Sequence, residues 1–236
     1  MRLLLIGYSL LFLSASAAPQ IQDAVLDLND GGKLRYGISV PDAARKNQPV
    51  PLVIALHYGW NGPRPPAYYG REFMTLLIEP GLRKLDAIIA APDCPGQNWT
   101  NPKSEEAVLE LIAHVQARYP VDRARIIITG FSLGGFGTWY MAALHPEIFT
   151  VAVPIAGRPR PEWVEKIDRL PMFVIHSRKD EVVPIGPTAQ GVDALRKKGG
   201  TVEFIEVEGL GHYDTARYVE YLQKAVPWMT RVWGKR

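Results

Sequence analysis

Three residues carry the chemistry that this chain can do: Ser132, Asp180 and His212. Ser132 stands in Gly130-Phe131-Ser132-Leu133-Gly134, a G-x-S-x-G string that directly follows the apolar run IIIT and directly precedes a stretch with helical spacing. On such a strand-to-helix turn a serine is held in a strained backbone conformation with its Oγ projecting, and flanking glycines avoid collisions with neighbouring backbone. The helix N-terminus behind it faces the negative charge that develops when the oxygen attacks a carbonyl. The other readings of such a string are a flexible Gly/Ser loop or a phosphate cradle. No lysine follows at phosphate-loop spacing and no G-x-G-x-x-G follows a strand, so the turn is read as a nucleophile.

A free serine is a weak nucleophile, so a histidine must take its proton and a carboxylate must orient that histidine. With a serine on this kind of turn the partners follow in the order Ser, acid, His. Of the five histidines, His176 and His212 follow Ser132 far enough on, since His145 ends the helix of the serine itself. His212 lies in E-G-L-G-H-Y, a glycine-flanked loop between the last strand and the last helix. His176 ends the apolar run MFVIH and is expected to pack and hydrogen-bond at the strand end. The loop after it supplies Asp180, with Glu181 as the competing acid; Asp168 and Asp193 fall in helical surroundings, and Asp214 is read as a helix N-cap.

One backbone N–H for the oxyanion is expected from Leu133, the residue after the nucleophile. The second should come from the loop after PLVIALH, at Gly59, with Trp60 as the alternative. His57 is expected to shape that loop. Trp60 and Trp99 fall in loops beyond strand C-termini, where sheets of this kind bind ligands, and are candidates to line an acyl or aryl pocket; an interface or simple loop packing is the competing reading. Trp139, inside the helical stretch after Ser132, is expected in the core. Cys94 has no base beside it in P-D-C-P and is read as buried, and His114 as a half-buried helix residue. No HxxxH, HExxH or CxxC pair points to a metal, and no cofactor is expected.

The elements that must position these residues alternate. Strand candidates span 24–28, 34–40, 51–56, 87–91, 125–129, 151–155, 172–176 and 202–207, and helical spacing spans 104–118, 133–144, 161–168, 188–198 and 215–232. VIAL, AIIAA, IIIT and FVIH are continuous apolar runs of the kind buried on both faces, which indicates a largely parallel sheet in an α/β domain. Val108, Leu111, Ile112 and Val115 share one helical face that should cover the sheet. Residues 58–69, with N-G-P-R-P-P turn chemistry, form the longest irregular region and lead into an apolar helical stretch at 71–78.

Composition bounds the rest. With 236 residues and 47% hydrophobic content the chain can bury one large core, and no linker, repeat or charge block divides residues 18–236. A net charge of +3, spread over 27 basic and 24 acidic residues without a dense basic run, argues against a nucleic-acid partner. Arg2, the apolar run 3–13 and Ala15-Ser16-Ala17 read as a secretory signal peptide over 1–17, too short to span a bilayer, so an exported protein with no stable membrane anchor after cleavage is expected. A single Cys means that export does not depend on an intrachain disulfide.

The motifs LVIALHYG, RIIITGFSLGGFGTWYMAALHPEIF, PMFVIHSRKDEVVP and GLGH resemble the small α/β-hydrolases of the phospholipase/carboxylesterase and feruloyl-esterase or prolyl-oligopeptidase-like group, over nearly all of the chain beyond the leader. The resemblance implies an eight-stranded, mostly parallel sheet with helices on both faces and no separate lid domain. It also implies cleavage of a small-molecule carboxylic ester, with thioesters or peptides as the alternative substrates. A non-catalytic exported binding protein on the same fold is the rival of a different class. One departure stands out: relatives often read H-G after the oxyanion strand, whereas Tyr58 here separates His57 from Gly59.

Overall fold

The computed structural model describes residues 20–234; the leader read at 1–17 lies outside the described residues. All eight strand candidates are present: β1 (Ile21–Asp27), β2 (Lys33–Ser39), β3 (Val50–Leu56), β4 (Ile88–Pro92), β5 (Val121–Phe131), β6 (Val151–Ile155), β7 (Met172–Ser177) and β8 (Val202–Val207). They form one sheet in the order β1-β2-β4-β3-β5-β6-β7-β8. β2 is antiparallel to both its neighbours, and every pairing from β4 through β8 is parallel.

Each parallel strand needs a crossover, and the helices that supply them cover both faces. Along β3 the side chains alternate between two cores. Leu52, Ile54 and Leu56 pack with Val108, Leu111, Ile112 and Val115 of the helix Pro102–Arg118, as that helix's apolar face requires. Val53 and Ala55 face the opposite way, toward Phe73, Leu77, Tyr218 and Met229. All seven residues of β3 are buried, which is why its sequence runs apolar without alternation. Among the described residues no helix is long and apolar enough to cross a membrane.

Two helical expectations change. The stretch expected as one helix at 215–232 is a 3-10 turn (Thr215–Tyr218) followed by helices Val219–Gln223 and Ala225–Trp233. Pro227 is the physical reason: it has no N–H for the carbonyl of Gln223 and its ring crowds that carbonyl, so the hydrogen-bond ladder is interrupted there. The apolar stretch after the irregular region is likewise composite, Tyr69–Phe73 running into a π-helical turn, Met74–Ile78, that buries Met74, Leu77 and Ile78.

Candidate active site

The C-terminal ends of β3, β5, β7 and β8 bring the site together. β5 turns sharply at Ser132, whose φ of 55° and ψ of −114° lie where a side chain is rarely found. The turn is held by the Ser132 N–H donating to the carbonyl of Ile155 at 2.9 Å and by Phe136 N–H donating to the Ser132 carbonyl at 3.0 Å. Gly134 is required by contact: a Cβ there would lie 1.8 Å from the Leu56 carbonyl oxygen, because the helix Leu133–Leu144 starts directly against the end of β3.

Ser132, His212 and Asp180, 32 to 80 residues apart in sequence, form one hydrogen-bonded chain. His212 Nε2 lies 2.8 Å from Ser132 Oγ, and His212 Nδ1 lies 2.9 and 2.8 Å from the two Asp180 oxygens. With the Nδ1 proton donated to the carboxylate, Nε2 is left free to accept the serine proton. Asp180 also accepts the N–H groups of Val182 at 3.0 Å and Val183 at 2.7 Å. Burial alone would push this carboxyl up, but hydrogen bonds from His176, His212 and the Val183 N–H outweigh it and hold it well below the usual carboxylate range.

Two neighbours support this chain in ways the sequence did not reveal. His176 packs and hydrogen-bonds at the strand end, as expected, donating from Nε2 to the Val183 carbonyl at 2.8 Å, and it also stands 3.4 Å from Asp180 Oδ2. Glu181 does not face the histidine ring: its Oε2 accepts the backbone N–H of His212 at 3.0 Å, tying the base loop to the acid loop. Asp214 precedes a 3-10 turn but makes no side-chain cap. Its carboxylate instead accepts the Gly211 N–H at 2.8 Å, closing the His212 loop on itself.

The loop after β3 is organised around His57 and Asp93. His57 is fully buried; Nδ1 donates to the Tyr58 carbonyl at 2.6 Å and Nε2 accepts the Cys94 N–H at 3.0 Å. Burial pulls its pKa down to about 4, so the ring is neutral and structural, as expected. Asp93, which carried no sequence signal beyond its place after a strand, accepts the N–H groups of Tyr68 at 2.8 Å and Gly70 at 3.0 Å and pairs with Arg35 at 3.0 Å. Cys94 is buried and burial pushes its thiol up to about 11, the opposite of what a nucleophile requires.

Of the two candidate pocket residues, Trp60 lines the cleft above Ser132, whereas Trp99 does not and follows the competing reading of loop packing. Trp99 is 1% exposed, donates from Nε1 to the His57 carbonyl at 2.9 Å and packs edge-on against the His57 ring at 5.1 Å. An indole N–H must find an acceptor when buried, and the end of β3 offers one below the cleft. Trp139 is in the core, as expected, with Nε1 donating to the Gly157 carbonyl. The cleft encloses about 640 Å³ and brings Ser132 and His212 together with Tyr58, Trp60, Tyr69 and Phe131. Leu76, Val182 and Tyr213, three of the four exposed large hydrophobic residues among those described, stand around it.

A serine at a strained strand-to-helix turn, set in an eight-stranded mostly parallel sheet that helices cover on both faces, defines an α/β-hydrolase. Comparison with known proteins makes this more particular. The Phospholipase/Carboxylesterase family model matches residues 93–228, more than half of the chain, and the chain belongs to that family of carboxylic ester hydrolases. It is 23% identical over 209 residues to a probable feruloyl esterase C of Aspergillus flavus, covering 84% of this chain and 73% of that protein. Over 65 residues it is 38% identical to poly(3-hydroxyalkanoate) depolymerase C of Paucimonas lemoignei, spanning 28% of this chain and only 16% of that protein. The solved structure of a thermostable esterase superposes with a TM-score of 0.74 at 26% identity, covering 89% of this chain and 62% of that one.

Proposed function

We propose that the protein hydrolyses small-molecule carboxylic esters by acyl transfer to Ser132. The observation that carries this reading is the hydrogen-bonded chain from Ser132 Oγ through His212 to a buried, ionised Asp180. His212 Nε2 takes the Ser132 proton as Oγ attacks the ester carbonyl, and Asp180 fixes the imidazole tautomer and stabilises the imidazolium. The N–H groups of Leu133 and Gly59 face the oxyanion; these two residues line a common recess of about 260 Å³ beside Trp60. Collapse of the tetrahedral species breaks the bond to the alcohol, which leaves with the proton from His212. Water, deprotonated by the same histidine, then releases the acid and restores Ser132.

An aromatic and aliphatic cleft suits an ester with an apolar alcohol or acyl part better than a peptide, whose backbone amides would need partners along the groove. Export after removal of residues 1–17 belongs to the same reading, on the composition of that segment. A fluorophosphonate probe should label the wild type, and Ser132→Ala should lose labelling together with about 10⁴-fold or more in kcat on an aryl ester. Undiminished labelling of Ser132→Ala would sink the assignment. Aryl esters should be cleaved faster than matched acyl thioesters and short peptides, and a peptide preference would replace esterase by peptidase.

A further inference from the structure

Two smaller cavities neighbour the cleft at Ser132. Gly59 and Trp60, which wall it on one side, also wall the recess that Leu133 closes, and Leu133 is in turn in the wall of a further cavity of about 290 Å³. That third cavity has Arg158 and Arg160 on its rim and Phe136 and Trp163 among its walls. His212 lines only the first cleft, whereas Leu133 lines the recess and the third cavity but not that cleft.

Neither arginine is strongly paired with another described residue. Arg158 makes no ion pair with any carboxylate among the described residues. Arg160 has only Glu162, at 3.8 Å, with both side chains more than half exposed, where water screens the attraction. Yet both are positioned. The guanidinium of Arg158 lies 5.8 Å from the Phe136 ring centre, and that of Arg160 lies 5.1 Å from the Trp163 ring centre. Their backbone, Gly157-Arg158-Pro159-Arg160-Pro161, has φ fixed at both prolines. Gly157 touches the backbone of Gly135 and Phe136 so closely that a Cβ would lie 2.5 Å from Gly135, and its carbonyl accepts from Trp139 and Thr188. The segment after β6 is thus clamped to the helix that begins at Ser132.

We infer that this cavity is an acyl subsite for a carboxylate, so that the preferred esters carry a free acid at the far end of the acyl group, as half-esters of dicarboxylic acids do. The inference rests on the esterase reading above. The limb follows from proton transfer: the alcohol must receive its proton from His212 and so stays in the first cleft, which leaves the acyl group to run past Leu133. Two planar guanidinium groups on a small, partly aromatic cavity match a carboxylate, and their stacking on rings reduces the freedom lost on binding.

The test uses p-nitrophenyl esters of pentanoic acid, of glutaric acid (free ω-carboxylate) and of 5-aminopentanoic acid (ω-ammonium), with rates in Ser132→Ala subtracted as background. The wild type should favour the glutaryl ester over the pentanoyl ester in kcat/KM and cleave the aminopentanoyl ester worst. In Arg158→Gln, and more so in Arg158→Gln with Arg160→Gln, kcat/KM for the glutaryl ester should fall about tenfold to a hundredfold further than for the pentanoyl ester. Arg158→Lys should keep part of the preference, because charge survives while the planar fork is lost. Cleavage of the pentanoyl ester without preference for the glutaryl one, or equal losses on both in the variants, overturns the subsite while leaving the esterase reading standing. An Arg158-dependent preference for 4-acetoxybenzoate over phenyl acetate, with none for glutaryl, overturns the limb assignment. A wild type that cleaves none of these esters removes the esterase reading and the subsite with it.

Discussion

The acid and base loops after β7 and β8 and the oxyanion loop after β3 sit at the same edge of one sheet, but they are held in different ways. Between the first two, short polar bonds close a network: Asp180 to His212, Val182 and Val183, Glu181 to the His212 N–H, and Asp214 to the Gly211 N–H. The oxyanion loop is anchored from a distance, by Asp93 reaching Tyr68 and Gly70 from the end of β4 and by rings stacked edge-on around His57. On the proposed mechanism, the difference means that one region sets the direction of proton transfer through charged hydrogen bonds. The other would hold the oxyanion N–H groups in place through packing. Damage to the first should fall on kcat, and damage to the second should divide between oxyanion stabilisation and the integrity of the loop.

The largest separation is expected at Asp180. In Asp180→Asn the Oδ1 acceptor for Val182 and Val183 survives, but the amide can present N–H toward His212 and favour the wrong tautomer, so kcat should fall about 10⁴-fold with little loss of Tm. A stopped assay with an aryl ester and a thermal melt would check both halves. A loss under tenfold would mean that the carboxylate does not orient the base.

The oxyanion loop should respond next. A Cβ at Gly59 meets nothing within 4 Å, so Gly59→Ala should keep activity within about threefold, the donor being backbone. Gly59→Pro removes the N–H and should cost about 10²- to 10³-fold in kcat. If the proline variant stays near wild type, Trp60 takes the place of Gly59 as donor, and the departure at Tyr58 shifts the loop by one residue relative to the H-G pattern.

Within the acid loop itself a smaller effect sharpens the contrast between two adjacent carboxylates. Glu181→Gln retains an acceptor for the His212 N–H and should change kcat by at most about threefold, whereas Glu181→Ala leaves that N–H to water and should cost about tenfold. A loss in Glu181→Gln equal to that in Asp180→Asn would exchange their roles.

What could be read in advance follows the same division. Ser132 is legible because strand, turn and helix lie within one short window, and His212 because few histidines compete. The sheet is legible because its interior strands are buried on both faces and so run apolar without interruption. Asp93 was not legible: its work is to accept N–H groups more than 20 residues upstream, and nothing in P-D-C-P encodes that partner. Trp99 misled for a related reason, since a loop position beyond a strand is shared by residues that face the ligand and residues that pack beneath it. Only the His57 carbonyl, reached across 42 residues, decides which. The break in the C-terminal helix is legible in principle through Pro227, which lacks the N–H for the Gln223 carbonyl.

The last expectation concerns stability, and it tests whether the oxyanion loop depends on a neutral His57. Protonation would place an N–H at Nε2 directly against the Cys94 N–H, two donors with no acceptor between them. With the folded pKa near 4 and the unfolded value near 6.5, the unfolded chain binds the extra proton between those limits. Stability from this site is therefore fully present above about pH 6.5 and declines as pH falls toward 4, by up to about 3 kcal/mol. His114, also lowered, by burial and by Arg118, adds a contribution of the same sign. Asp180, held low, adds its own loss only below the ordinary aspartate value of 3.8. His57→Gln, which keeps an acceptor near the position of Nε2, should lower Tm at pH 7 yet flatten its decline between pH 6.5 and 4. Parallel Tm curves for the two proteins across that window would show that the loop tolerates a charged His57 and that its order comes from Asp93 and the packed rings alone.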